Sequence, residues 1–170
     1  MVKEEISKLS HNGSEHEASK PKIYISSTIK LNIKNLENSF YRADIEFVGV
    51  EHSGPSYEGR VFINNRGANE DTSLSLDRGY VGSYYIFGHG GCIGDVGHCE
   101  VKERSAFDFR PPHPLTPIDL HVTVTDQIKE LGKNTDEFVI SIVPILAGGS
   151  KLEDDELVRL DSISIYTYNS

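Results

Sequence analysis

The chain has 170 residues, 37% of them apolar and none of them tryptophan, with a formal charge of −9 at neutral pH. That length suits one domain able to bury a proper core. The acidic balance argues against nucleic acid, which demands a basic face, and no apolar run approaches the ~18–20 residues of a spanning helix.

Residues 1–21 are polar and aperiodic and read as a disordered arm, leaving 22–170 as a single β-sandwich domain. The arm has neither the basic start nor the ~7–15 apolar residues of a secretory signal. The default location is therefore cytoplasmic, or secreted if the sequence is a fragment of a longer chain. Residues 23–33 alternate imperfectly through Ile23, Ile25, Ile29, Leu31 and Ile33 and predict one strand. Residues 41–50 predict a half-buried strand, with Tyr41, Ala43, Ile45 and Phe47 on one face and Arg42, Asp44 and Glu46 on the other.

Ser53-Gly54-Pro55-Ser56 breaks that strand, and residues 57–64 form the next. Residues 65–78 are a polar loop whose Asn and Asp side chains can bond their own backbone. Residues 79–87, rich in tyrosine and valine, are a strand that leads into the stretch Phe87-Gly88-His89-Gly90-Gly91-Cys92-Ile93-Gly94-Asp95-Val96-Gly97-His98-Cys99. Residues 99–104 read as a short return strand, and Pro111-Pro112-His113-Pro114 as stiff extended chain.

Residues 118–126 alternate again, with Leu120, Val122 and Val124 opposed to His121, Thr123 and Thr125. One helical turn over 126–132 is stopped by Gly132. Residues 138–145 are apolar on both faces apart from Ser141 and predict a central strand, with Pro144 marking an edge or bulge. Residues 148–156 form a turn, and 158–168 close the sheet. Six to eight strands with almost no helical period mean an all-β antiparallel sandwich, of immunoglobulin or cupredoxin type.

Chemistry concentrates in the stretch that begins at Phe87. It holds both cysteines of the chain, two of its seven histidines and five of its fifteen glycines. Thiolate and imidazole together favour copper(I) or zinc over magnesium or calcium, which makes His89, Cys92, His98 and Cys99 the candidate ligands. His113, which follows two prolines, is a further candidate, and His52 is another turn histidine within conceivable reach. Adjacent His98 and Cys99 point to opposite faces of an extended chain, so three ligands from this loop are easier to draw than four. A Cys92–Cys99 disulfide and a pair of inert thiols remain open beside metal contact. Asp95, Asp108 and Arg110 read as structural groups, with Asp108-Phe109-Arg110 as a clasp. The chain has no nucleophile elbow, P-loop, dinucleotide fingerprint or HExxH motif.

Three segments together carry a resemblance. They are Arg42-Ala43-Asp44-Ile45-Glu46-Phe47-x-Gly49-Val50, then residues 56–64, then Tyr80-x-Gly82-Ser83-Tyr84-x-x-Phe87-Gly88-His89-Gly90-Gly91-Cys92-x-Gly94-Asp95-x-Gly97-His98-Cys99. With Asp108-x-Arg110-Pro111-Pro112-His113-Pro114, this pattern resembles the C-terminal β-domain of bacterial tyrosinase-like proteins. More distantly it is similar to the C-terminal sandwich of plant polyphenol oxidases and molluscan haemocyanins. The resemblance implies an accessory domain that covers a binuclear copper site, with an oxidase domain or protein as its partner. It implies Phe87 as a side chain offered as a placeholder for substrate, and a cysteine pair that helps to load copper. The helical bundle with six copper-binding histidines has no counterpart here, so phenol oxidation by this chain alone is not implied.

Two other readings stand beside that one. The sandwich could be an independent metal-dependent or small-molecule-binding enzyme centred on His89, His98, His113 and Asp95. It could equally be a plain interaction module whose cysteines form only a structural bridge.

Overall fold

The computed structural model describes residues 20–31, 40–88, 106–107, 117–148 and 156–169. Among these residues its strands are β1 (Tyr24–Ile25), β2 (Ile29–Lys30), β3 (Arg42–Val50), β4 (Tyr57–Ile63), β5 (Tyr80–Ile86), β6 (Ile118–Thr123), β7 (Glu137–Phe138), β8 (Ile140–Leu146) and β9 (Ser162–Tyr168), with one α-helix, α1 (Thr125–Leu131), and a 3-10 turn at Leu76–Arg78. Six of these strands run for six residues or more, within the expected range. They form a four-stranded sheet in the order β1-β8-β4-β5 and a three-stranded sheet in the order β6-β3-β9, with β2 and β7 as a short ribbon. Every pair is antiparallel.

Alternation explains how the two sheets meet. Ala43, Ile45 and Phe47 of β3 point inward with Val122 of β6 and Ile165 of β9. Tyr57, Val61 and Ile63 of β4, Tyr84 and Ile86 of β5, and Ile140 and Ile142 of β8 meet them from the other sheet. Each of these side chains is removed from water by the facing sheet, which is the packing of an all-β sandwich. Helix α1 buries Ile128 in the same core.

The segment 23–33 departs from its expectation. It is not one strand but two short ones, β1 on the four-stranded sheet and β2 on the ribbon with β7. Its partner is interrupted as well, at Val139 between β7 and β8. At this break side chains take half of the ladder: Ile140 N–H donates to Ser26 Oγ at 2.9 Å and Val139 N–H to Asn64 Oδ1 at 2.8 Å, while the Ser26 and Asn64 N–H groups still donate to the Ile140 and Val139 carbonyls. Asn64 takes φ 54°, a left-handed conformation that asparagine tolerates better than most residues.

Other boundaries moved less. The helix is longer than the single turn expected, and the last strand begins at Ser162, with Leu157 and Val158 buried ahead of it. Strand β8 is central, between β1 and β4. Pro144 lies where β1 no longer accompanies it, so the missing N–H faces no ladder on that side. The loop 65–75 is built from its own side chains, with Gly67 N–H donating to Asn65 Oδ1 at 3.2 Å and Asp71 N–H to Asn69 Oδ1 at 3.0 Å. The predicted return strand at 99–104, the prolines at 111–114 and nearly all of the arm lie outside the described residues.

Candidate functional site

Strand β5 delivers the chain to the cysteine-histidine segment, and its last residues set the geometry of delivery. Ile86 is buried opposite Tyr57 of β4. The next side chain, Phe87, is 87% exposed. Tyr85, two residues earlier and therefore on the same face, is 69% exposed. An edge strand of the sheet thus ends with two large aromatic rings turned to solvent.

Gly88 anchors the exit. A Cβ at this position would collide with the carbonyl of Gly54 and the backbone of Pro55, so only glycine lets the two segments approach so closely. Its N–H donates to Ser56 Oγ at 3.0 Å. The turn that interrupts the chain after β3 therefore clamps the chain leaving β5.

Behind the exit lies a buried aromatic group. Tyr84 packs against Phe47 at 5.1 Å between ring centroids and against Tyr57 at 6.1 Å, the second pair edge-on. Tyr84 also covers Gly59, its register partner, where a Cβ would strike the ring. Neither tyrosine hydroxyl makes a regular hydrogen bond among the described residues. Burial pushes the Tyr57 phenol above its ordinary range, partly offset by the neighbouring Tyr84 hydroxyl. Burial pushes Tyr84 far above the phenol range, and Tyr57 adds to the effect. Both phenols stay neutral in any ordinary buffer and act as packing, not as bases.

A second polar group lies on the outer face of β3. Asp44, expected on the solvent side, is buried there under its neighbours. Arg42 grips it with two bonds, Nη2 to Oδ2 at 2.8 Å and Nε to Oδ1 at 3.0 Å. Burial opposes ionisation of Asp44, but hydrogen bonds from Arg42 and Thr123, with the Arg42 and His121 charges, outweigh it and hold the carboxyl below its ordinary pKa. Sequence alternation gave no sign of this; the only available signal was Arg and Asp two residues apart on one strand face.

Of the residues singled out from sequence, Phe87 is described, and so are His121, exposed on the outer face of β6, and His52, half-buried. His89, Cys92, Asp95, His98, Cys99, Asp108, Arg110 and His113 lie outside the described residues. Among the described residues no three His, Cys, Asp or Glu side chains come together in a way that could hold a metal ion, and no helix is long and apolar enough to cross a membrane.

No family model matches the sequence, and no curated protein is similar to it. Among solved structures the chain is similar to latent aurone synthase (polyphenol oxidase) from its natural source, at 12% identity and a TM-score of 0.48, covering 87% of this chain and 24% of that one. It is similar to the recombinantly expressed latent enzyme at 12% identity and a TM-score of 0.48, covering 86% and 24%. The chain spans about a quarter of the length of those enzymes. A likeness this distant says nothing of activity.

Proposed function

We propose that this chain is a non-catalytic accessory domain of a tyrosinase-like copper oxidase, seated over the oxidase domain by the end of the sandwich from which Phe87 projects. The observation that carries the reading is Phe87 itself: a phenylalanine 87% exposed, one residue beyond the buried Ile86 and one before the Gly88 clamp that holds the backbone there. An apolar ring held in water at a fixed exit has a physical use if a partner's pocket receives it. The motif resemblance supplies the kind of partner. His89, Cys92, His98 and Cys99, directly downstream, would then face the same partner and supply soft donors for copper(I).

Shielding is tested with a tyrosinase-like oxidase domain and this chain added in trans. The chain lowers phenol turnover, and Phe87→Ala relieves the inhibition without changing the melting temperature, because the exposed ring contributes little to folding. Equal inhibition by both forms would remove Phe87 from the reading. Copper is tested separately. Anaerobic titration of the reduced protein binds about one equivalent of copper(I), lost in the Cys92→Ser/Cys99→Ser variant. Undiminished binding in that variant, or the absence of free thiols in the denatured unreduced protein, argues for a structural bridge instead.

A further inference from the structure

The three-stranded sheet ends on β9, Ser162-Ile163-Ser164-Ile165-Tyr166-Thr167-Tyr168, whose one strand partner among the described residues is β3. Among the described residues no strand pairs with its other edge, which there offers a row of backbone donors and acceptors. The other edge strands are protected in recognisable ways. Strand β1 is two residues long, β6 carries Asp119 and His121, and β5 lies close against β6 of the other sheet. Strand β9 has none of these devices. It has seven residues, no charge and no proline, in a chain whose net charge is −9.

We propose that β9 pairs with β9 of a second copy of this chain, in antiparallel register about Ile165. An antiparallel pair of identical strands has two-fold symmetry and closes on itself. In this register Ser164 lies opposite the second copy's Tyr166, and Ser162 opposite its Tyr168. No like charges meet anywhere along the pair, and the two Tyr166 rings become diagonal neighbours on the outer face. Tyr166 and Tyr168 are exposed in the single chain, and Tyr41 stands beside Tyr168 at 6.5 Å, so aromatic surface is available on both sides of the axis. Keeping register, Ile163 and Ile165 remain on the inner face, so the two sandwiches join without exposing either core. The product is one continuous six-stranded sheet made from two three-stranded ones. A strand pair this short makes a weak, concentration-dependent dimer.

Sedimentation velocity across a wide protein concentration range reads the dimer, and two double variants decide its geometry. Ser164→Lys/Tyr166→Lys places like charges directly opposite each other twice, whereas Ser164→Lys/Tyr166→Glu places opposite charges there. Both alter the same two exposed-face positions, and circular dichroism checks that each monomer is folded. The expected result is a wild-type dimer, retained in the opposite-charge variant and weakened by about tenfold or more in the like-charge variant. A wild-type monomer at every concentration overturns the proposal and leaves the edge to a strand from another protein. A dimer that both variants affect equally overturns it too.

Discussion

The two sheets follow the same alternation yet end in different states. The four-stranded sheet is buried on both faces near its middle. On its outer side Phe62 and Val143 pack with Ala68 of the 65–75 loop and with Tyr80 and Ile145. The three-stranded sheet has no such cover among the described residues, and its outer face carries Arg42, Glu46, His121, Tyr166 and Tyr168 around the buried Asp44 carboxylate. One face is closed by apolar packing under a self-bonded loop, the other by a bidentate ion pair. An outer face can be sealed by either means, but only the first removes much apolar surface from water.

Breaking the apolar seal has the largest consequence. Phe62→Ala should cost about 3–5 kcal/mol in urea unfolding, because it empties a fully buried site beneath the loop. Tyr166→Ala, on the corresponding outer face of the other sheet, should stay within about 0.5 kcal/mol. Comparable losses from the two would abolish the distinction between the sheets.

The ion pair is next. Asp44→Asn should cost about 1–3 kcal/mol, the range for a buried charged hydrogen bond. The native carboxyl titrates below its unfolded value, so its contribution is complete above the unfolded pKa of about 4 and is lost as pH falls through the lower folded value. Unfolding midpoints measured from neutral pH down into that acid window should therefore fall less steeply in Asp44→Asn than in the wild type. Parallel acid limbs would mean that other carboxylates govern acid stability.

The smallest effect sharpens the comparison from within the apolar sheet. Ser141 is buried opposite Phe62, and its hydroxyl has no partner among the described residues. Ser141→Ala removes an unsatisfied polar group and should stabilise the fold by up to about 1 kcal/mol in the same urea assay. A loss of stability would reveal a bond that this hydroxyl makes.

Much of the scaffold was legible because strands leave a composition and a side-chain period of two, and five of the long strands announced themselves through one or the other. Residues 42–50, 57–63 and 118–123 carried apolar side chains at alternate positions, 80–86 was rich in tyrosine and valine, and the apolar run at 140–146 marked a strand buried on both faces. The split of 23–33 was not legible, because it depends on Asn64 and Ser26 bonding to a strand more than seventy residues away. The candidate site divides in the same way. Composition alone drew attention to the cysteine-histidine segment, since scarce residue types gathered in a few positions need no folded context to be noticed, whereas Phe87 was singled out by the motif resemblance. The clamp of Gly88 on Ser56, the burial of Asp44 and the edge of β9 that no described strand pairs with belong to tertiary structure alone. Each depends on which distant strand lies alongside, and that is settled by the packing of two sheets rather than by any local pattern.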